Sequence, residues 1–272
     1  MTMSDAIHPT AVVGDGAELA DGVQVGPYAV VGDGVQLGSG TVVLSHSVVE
    51  GPTVVGPGCR LGPFASVGSL AQVRSVETAS AVGDGTGVGG GRLEVGRGCV
   101  VREFATLNRG TPEGGGLTQL GDGCLVMAYA HVAHDCRLGD RVVLSNGVAL
   151  AGHVVVGDDA VLGGLSAVQQ FTRVGRLAFL AGGAMVDRDV PPFVRVAGDR
   201  ARLSGLNLVG LQRADLPEAH IKGLRHAYRA LFRRRGQVVA SVSAQLKDEM
   251  ADLPEVLELL AFIAASERGI CR

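Results

Sequence analysis

The chain has 272 residues, of which 46% are hydrophobic and 42 are glycine, and its formal net charge is −3. This apolar content at so low a charge excludes a disordered chain, and the lack of a strict Gly-X-Y period excludes a collagen-like one. No apolar run approaches the roughly 20 residues that a membrane-spanning helix needs, so we expect no stable membrane insertion.

An aliphatic residue recurs at every sixth position through the first quarter of the chain. The members follow one another without a miss: Ile7, Val13, Leu19, Val25, Val31, Leu37, Val43, Val49, Val55, Leu61 and Val67. A period of six fits neither an α-helix nor a plain strand. It fits a parallel β-helix, in which each six-residue unit forms a short strand and a corner, and three units complete one coil. Glycine often follows the aliphatic residue and supplies the backbone angles that corners need.

The same spacing returns in two further runs. Their members are Val95, Val101 and Leu107, then Leu120, Val126, Val132, Leu138, Leu144, Leu150, Val156, Leu162, Val168, Val174, Leu180 and Val186. The first run ends 28 residues before the second begins, and the second ends 13 residues before the third. Neither gap is a multiple of six, which predicts inserted loops at about 68–92 and 108–119. Excursions of this kind often carry binding residues.

The pattern changes in the last third of the chain. From Pro217 onward the apolar residues, Ile221 and Leu224 among them, have helical spacing, and Asp-Leu-Pro, which is typical of a helix start, occurs twice. We therefore predict a mainly β fold in two parts. Residues 1–196 form the hexapeptide-repeat β-helix, and residues 197–272 form a C-terminal domain of three α-helices that caps one end.

The cysteines are odd in number, scattered, and include no CxxC pair: Cys59, Cys99, Cys124, Cys136 and Cys271. This usage favours a reducing compartment and argues against a disulfide framework or a zinc finger. The opening segment, MTMSDAIHPT, has neither the basic nor the apolar stretch of a secretory signal. We therefore expect a cytoplasmic protein in which Cys136, beside the aliphatic row, is a packing residue.

The densest group of candidate catalytic side chains lies in AYAHVAHDCRLG, which contains His131, His134 and Asp135; His153 follows in LAGHVVVG. His134 and His153 are 19 residues apart, one coil plus one, so they should lie on adjacent coils near one corner. A histidine beside a carboxylate suggests a general base. Two alternatives remain open: a three-histidine metal site, as in the γ-class carbonic anhydrase solenoids, or solvated histidines without a function.

Nine motifs in order carry a family resemblance: HPTAVV, LNRGT, GGGLT, MAYAHVAHDC, LAGHVVVGD, AVQQF, DVPPF, GLNLVGL and SERGICR. They cover nearly the whole chain except roughly 69–92, and they resemble the UDP-N-acetylglucosamine acyltransferases that open lipid A biosynthesis. The resemblance implies a left-handed β-helix and transfer of a 3-hydroxyacyl chain from acyl carrier protein to the 3-hydroxyl of UDP-N-acetylglucosamine. It also implies a homotrimer with active sites between subunits, and neither cofactor nor metal.

The resemblance also assigns roles to residues of this chain. His134 would remove the proton from the sugar hydroxyl, Asp135 would orient the imidazole, and the N–H of Gly152 would stabilise the oxyanion. The remaining assignments are substrate-cleft positions His131, His153 and Gln170, nucleotide positions Asn207 and Arg213, and Gly182 as the floor of the acyl-chain site.

Residues 213–236 carry a basic surplus that suits docking of an acidic carrier protein. The basic residues are Arg213, Lys222, Arg225, Arg229, Arg233, Arg234 and Arg235, against Asp215 and Glu218. We expect Arg225 and Arg229 to lead this docking, with Arg173 and Arg176 of the solenoid as the second choice. The alternative is a solvated helical face. A nucleic-acid partner is not expected, because the patch is short and lacks interleaved aromatics.

Several positions depart from the family pattern. Gln169 stands where the family has histidine, Val209 where it has an acidic residue, and Ala214 where it has a second arginine. The 68–92 loop lacks the family's Gln-Asp pair. These departures leave open a modified acceptor, such as a 3-amino UDP-sugar that would be N-acylated. A non-catalytic binding paralogue is a separate alternative, against which the joint presence of His134, Asp135 and Gly152 argues.

Overall fold

The computed structural model describes residues 6–73, 90–233 and 239–272. Within these ranges the chain forms 27 short strands followed by four helices. Except at the C-terminal end of the solenoid, each strand pairs in parallel with the third strand after it, as in Val12 with Val30 and His131 with Ala149. Because these partners are 18 residues apart, three strands complete one coil and the coils stack into a three-sided prism. The predicted left-handed parallel β-helix is confirmed.

Three sheets form the sides of the prism. The first sheet contains β1 (Val12–Val13), β4 (Val30–Val31), β7 (Val48–Val49), β10 (Ser66–Ser69), β13 (Thr106–Asn108), β16 (His131–Val132), β19 (Ala149–Leu150), β22 (Ala167–Val168) and β25 (Met185–Val186). The second contains β2 (Glu18–Leu19), β5 (Val35–Leu37), β8 (Thr53–Val55), β11 (Arg92–Val95), β14 (Leu117–Leu120), β17 (Arg137–Leu138), β20 (Val155–Val156) and β23 (Arg173–Val174).

The third sheet contains β3 (Gln24–Val25), β6 (Val42–Val43), β9 (Arg60–Leu61), β12 (Val100–Val101), β15 (Leu125–Val126), β18 (Val143–Leu144), β21 (Val161–Leu162), β24 (Phe179–Leu180), β26 (Val194–Ala197) and β27 (Arg202–Leu206). All of its pairs are parallel except β26 with β27. We call the junction of the first and second sheets the first corner, that of the second and third the second corner, and that of the third and first the third corner.

The period-six aliphatic residues form the core of the prism. Every member from Val25 to Val186 is buried. Ile7 is the clear exception, at 43% exposed, because the described residues place no earlier coil against it. The apolar side chains are narrow, so successive coils can stack with their backbones fully paired.

Two excursions leave the prism at the first corner. One runs from the end of β10 at Ser69 to the start of β11 at Arg92, and most of it lies outside the described residues. The other runs from 109 to 116, which is shorter than the sequence predicted, because Leu117 already pairs with Arg92 in the second sheet.

The third corner carries an exposed column of rings, one per coil. We call it the aromatic column; it consists of Tyr28, His46, Phe64, Phe104 and Tyr129. Neighbouring ring centroids are 4.7 to 5.1 Å apart, and all five residues have positive φ. The coil-by-coil register therefore places aromatic side chains on top of one another along this edge.

The helices are α1 (Leu208–Arg213), α2 (Glu218–Phe232), α3 (Val239–Glu249) and α4 (Pro254–Ala264). They begin later than residue 197, because β26 and β27 extend the third sheet first. Arg176 of the prism forms a salt bridge with Glu258 of α4, with 2.8 Å between Nη2 and Oε2. The Arg173 guanidinium lies 4.4 Å from the ring centroid of Phe262. None of the described helices is both long and apolar enough to span a bilayer.

Candidate active site

The candidate site is at the first corner, where two adjacent coils bring four of the predicted residues together. His134 and Asp135 connect β16 to β17, and Gly152 and His153 connect β19 to β20. The 18-residue step stacks His134 on Gly152 and Asp135 on His153, and the His153 N–H donates to the His134 carbonyl at 3.0 Å. Asp135 and His153 both have left-handed backbone angles, with φ of 60° and 62°. The corner geometry therefore fixes the direction of both side chains.

His134 and Asp135 form a hydrogen-bonded pair. The distance from His134 Nδ1 to Asp135 Oδ2 is 2.8 Å, and the aspartate side chain is only 1% exposed. Burial raises the pKa of Asp135, but hydrogen bonds from Thr111 and His134 more than offset this, so its pKa lies below the usual value. An ionised carboxylate can only accept, so His134 must carry its proton on Nδ1 and leave the Nε2 lone pair free.

Gly152 allows the imidazole to lie directly against the backbone of the next coil. A Cβ at this position would lie 2.6 Å from Cε1 and 2.7 Å from Nε2 of His134. Within the described residues, no carbonyl or side chain accepts a hydrogen bond from the Gly152 N–H. The reactive edge of the imidazole and an unused backbone donor therefore lie side by side.

Two further histidines border this pair. His131 is half-buried on the first sheet and its Nδ1 lies 2.7 Å from Thr106 Oγ1. Burial, and then the neighbouring His134, lower the pKa of His131. His153 stacks on Phe171 at 4.4 Å between ring centroids, and burial lowers its pKa against the raising effect of Asp135. Both rings are therefore neutral at neutral pH and can act as hydrogen-bond partners for a ligand.

The same cluster is where a metal ion could be held. His134, Asp135 and His153 offer ligand atoms that lie within 4.8 Å of one another. However, the Asp135 carboxylate already accepts from Thr111 and from His134 Nδ1. Oδ2, the oxygen nearest both histidines, already accepts two hydrogen bonds, and the cluster contains two histidines instead of the expected three, so it fits an acid–base pair better than a three-histidine metal site.

The other predicted substrate residues lie at varying distances from this pair. Gln170 is exposed at the first corner one coil further on, and its carbonyl accepts from Arg268. Gly182 is exposed at the third corner. Asn207 is buried and caps α1: its side chain donates to the Leu177 carbonyl at 2.9 Å and accepts from an α1 backbone N–H. Arg213 is exposed at the end of α1. One chain alone therefore does not bring the last three to His134.

The predicted docking residues fall into two groups. Arg225 and Arg229 lie on the outer side of α2, and Arg225 approaches Glu218 only to 3.8 Å. Arg173 and Arg176 instead hold α4 against the prism, through Phe262 and Glu258. Arg234 and Arg235, which belong to the same basic run, lie outside the described residues, and the departing positions Gln169, Val209 and Ala214 are all exposed.

Sequence reasoning missed the residues that hold Asp135. Thr111 donates to it from its N–H and its hydroxyl, Gly114 packs against it, and Thr118 accepts from its backbone N–H at 2.7 Å. The only signal in the sequence was the break in the six-residue period before Leu120. That break predicted an inserted loop, but it did not indicate that the loop would contact Asp135.

Comparisons with known proteins cover both parts of the chain. Residues 117–152 match the family described as bacterial transferase hexapeptide (six repeats), and residues 189–271 match Udp N-acetylglucosamine O-acyltransferase, Domain 2. The acyl-(acyl-carrier-protein)–UDP-N-acetylglucosamine O-acyltransferase of Sinorhizobium fredii is 45% identical over 272 residues, which is 99% of this chain and 97% of that protein. The protein of the same name from Rhizobium etli is 47% identical over 268 residues, covering 98% and 94%.

Solved structures agree with these relatives. LpxA from Acinetobacter baumannii superposes with a TM-score of 0.91 at 35% identity, covering 98% of this chain and all of that one. UDP-N-acetylglucosamine O-acyltransferase (LpxA) from Moraxella catarrhalis gives 0.91 at 34% identity, with the same coverage.

Proposed function

The chain belongs to the acyl-(acyl-carrier-protein)–UDP-N-acetylglucosamine O-acyltransferases, and on this basis we propose that His134, Asp135 and Gly152 carry out its reaction at the first corner. The reaction transfers a 3-hydroxyacyl chain from acyl carrier protein to the 3-hydroxyl of UDP-N-acetylglucosamine, the first step of lipid A biosynthesis. The observation that carries the assignment is the buried His134–Asp135 pair with the Gly152 backbone against the imidazole edge.

The chemistry follows from this arrangement. His134 Nε2 takes the proton of the sugar hydroxyl as its oxygen attacks the thioester carbonyl. The Gly152 N–H donates to the oxyanion of the tetrahedral intermediate. When the intermediate collapses, the carrier's thiolate leaves and takes the proton back from the imidazolium. Asp135 holds the ring in the required tautomer throughout and stabilises its charged form.

No enzyme-bound acyl intermediate is needed. Cys136, the nearest thiol, is fully buried, and burial raises its pKa to about 12. A thiol that stays protonated is a poor nucleophile. This supports direct transfer between the two substrates.

The assembly we propose is a homotrimer whose subunits meet along the aromatic column. That column is flanked by exposed apolar residues of the first sheet, such as Val12 and Val30, and by half-buried ones of the third, such as Val100. An apolar edge of this length is unusual on a monomer and suits a second copy of the chain. The five free, buried cysteines support a cytoplasmic location.

Light scattering at micromolar concentration tests the assembly. We expect the trimer mass for the native protein, loss of it for Phe104→Glu in the aromatic column, and its retention for Val54→Glu, a similarly exposed apolar residue on the second sheet. A monomer mass for the native protein would refute the trimer.

We also propose that the carrier docks on the outer face of α2. Lys222, Arg229 and Arg233 are exposed there, and Arg225 is half-buried beside them. Carrier proteins of this kind are strongly acidic, so long-range attraction would bring the thioester to this side of the molecule.

The activity is tested with purified protein, a 3-hydroxyacyl carrier protein, and both UDP-N-acetylglucosamine and its 3-amino analogue, with products identified by mass spectrometry. His134→Ala should lower kcat by roughly 10²- to 10⁴-fold, the usual contribution of a general base. His8→Ala, which removes an exposed histidine that contacts Thr10, is the matched control. Activity retained by His134→Ala would refute the base, and activity lost on chelation would favour the metal alternative.

A further inference from the structure

The 109–116 excursion returns to the first corner and covers the buried carboxylate of Asp135. The backbone N–H of Thr111 donates to Asp135 Oδ1 at 3.0 Å, and its hydroxyl donates to Oδ2 at 2.7 Å. Thr111 is itself buried. One residue of the excursion therefore binds both oxygens of the carboxylate.

The direction of the Thr111 hydroxyl proton is set by a third contact. Thr111 Oγ1 accepts from the N–H of Gly114 at 3.1 Å. Because that side of the oxygen is occupied, the hydroxyl proton points at Asp135 Oδ2. The same Oδ2 accepts from His134 Nδ1, so both donors converge on a single oxygen.

Gly114 shows how closely the excursion is fitted. A Cβ at this position would overlap both oxygens of the Asp135 carboxylate. Its backbone φ is not in the left-handed region, so space and not conformation requires glycine here. The excursion is therefore packed against the carboxylate without room for a side chain or a water molecule at this point.

We propose that Thr111 is a positioning residue for the transfer reaction. It fixes the plane of the Asp135 carboxylate so that Oδ2 holds the Nδ1 proton of His134 and the Nε2 lone pair faces the sugar hydroxyl. This rests on the proposed role of His134 as the base. Thr111 touches neither substrate in this scheme and acts only through Asp135.

Three histidines surround Asp135, and they determine how removal of the Thr111 hydroxyl would affect the site. His134 donates to Oδ2, His153 Nε2 lies 3.8 Å from the same oxygen, and His131 borders His134. Thr111→Val keeps all three and the backbone N–H bond, but removes one of the two hydrogen bonds to Oδ2. Because Asp135 Oδ2 then has one donor fewer, it binds the His134 imidazolium more strongly, and the carboxylate is free to rotate.

Three variants test the proposal. Thr111→Val removes the hydroxyl at constant shape, and Thr111→Ser restores it. Thr41→Val is the matched control, because the Thr41 hydroxyl is equally buried, accepts from the Cys59 N–H and donates to the Gly56 carbonyl far from the site. Each variant is measured for kcat, for KM of both substrates, for the pH profile of kcat/KM and for melting temperature.

We expect Thr111→Val to lower kcat roughly 10- to 100-fold, as for loss of a hydrogen bond to a charged group, with both KM values little changed. The acid limb of its pH profile should move to higher pH. Thr111→Ser should recover most of kcat and the native profile. Thr41→Val should lose melting temperature but keep the native kcat and pH profile.

A native kcat and pH profile in Thr111→Val would overturn the proposal, as would a loss that Thr111→Ser does not rescue. If Thr111→Val is too unstable to assay, Thr111→Ala is measured in the same way and judged by the same outcomes. Nitrogen-15 NMR of His134 gives a readout without turnover: the native protein should carry its proton on Nδ1, and Thr111→Val should show a mixture. An active His134→Ala would instead refute the base itself, so the two failures are distinguishable.

Discussion

Replacing Asp135 by asparagine turns one carboxylate oxygen into an amide nitrogen that can only donate. The native carboxylate accepts from the Thr111 N–H on Oδ1, and from the Thr111 hydroxyl and His134 Nδ1 on Oδ2. An amide has one acceptor oxygen for these two sides. One side of the new amide must therefore present a donor where the native protein has an acceptor.

The two orientations of the amide have different consequences. With its oxygen toward His134, the active tautomer persists, but the amide nitrogen opposes the Thr111 N–H. With its nitrogen toward His134, the Thr111 N–H keeps its acceptor and the Thr111 hydroxyl can rotate to accept from the amide. The imidazole must then carry its proton on Nε2, where it cannot act as a base. A buried donor without an acceptor costs about 1–3 kcal/mol, so the active arrangement should be populated roughly 5- to 150-fold less.

Steady-state kcat of Asp135→Asn is the measurement, and we expect a fall within that range. The fall should be smaller than for His134→Ala, because the base remains. Asp140→Asn is the control: its carboxylate accepts from the Asp122 N–H at the second corner, away from the site. A native kcat in Asp135→Asn would refute the tautomer argument, and a kcat as low as that of His134→Ala would show that Asp135 does more than orient the ring.

Gly152→Ala should push the His134 imidazole aside, because the new Cβ would lie 2.6 Å from its Cε1. We expect kcat to fall by roughly 10²-fold, the effect of displacing a reacting group by about 1 Å. An unchanged kcat would contradict this prediction. Arg225→Glu with Arg229→Glu should raise KM for the carrier but not for the UDP-sugar. The KM of the native enzyme for the carrier should rise steeply with salt, and that of the double variant should not. Equal salt dependence in the two proteins would mean that the outer face of α2 is only solvated and does not dock the carrier. Hydrogen bonds lower the pKa of Asp135 in the folded protein. Its ionised form therefore stabilises the folded state fully above the ordinary aspartate pKa of about 3.9. That stabilisation is lost as the pH falls through the lower pKa that Asp135 has in the folded protein. Below about pH 4 the melting temperature of Asp135→Asn should therefore fall less than that of the native protein; parallel curves would contradict this.

The repeat was predictable from sequence because its cause is local. Each aliphatic residue sits six positions from the next, and an 18-residue coil follows from three such units, so the stacking of His134 near His153 could be inferred before any coordinates. The one-residue offset follows from the same count, because 19 residues are one coil plus one, and the coil step accordingly places Gly152 next to His134.

The Thr111 contacts were not predictable for a physical reason. The 109–116 excursion has no sequence period. Its return to Asp135 depends on Gly114, which leaves space for the carboxylate. The sequence separation between Gly114 and Asp135 is not a multiple of the repeat, so it does not indicate that the two residues are in contact. Arg176 is a similar case. Its charge suggested an acidic partner protein, but the structure pairs it with Glu258 of its own chain, which only the packing of α4 could reveal.

The place of the reactive corner along the stack has a thermodynamic consequence. A solenoid is a one-dimensional array whose stability is a sum of coil terms and neighbour interfaces, so it opens from its ends. The helices close one end, whereas Ile7 at the other is partly exposed. Opening should begin there and pass through β1, β4, β7, β10 and β13 before it reaches β16. Amide exchange should therefore show a gradient of protection, lowest at the first coil, with the catalytic coils still closed while the early coils exchange.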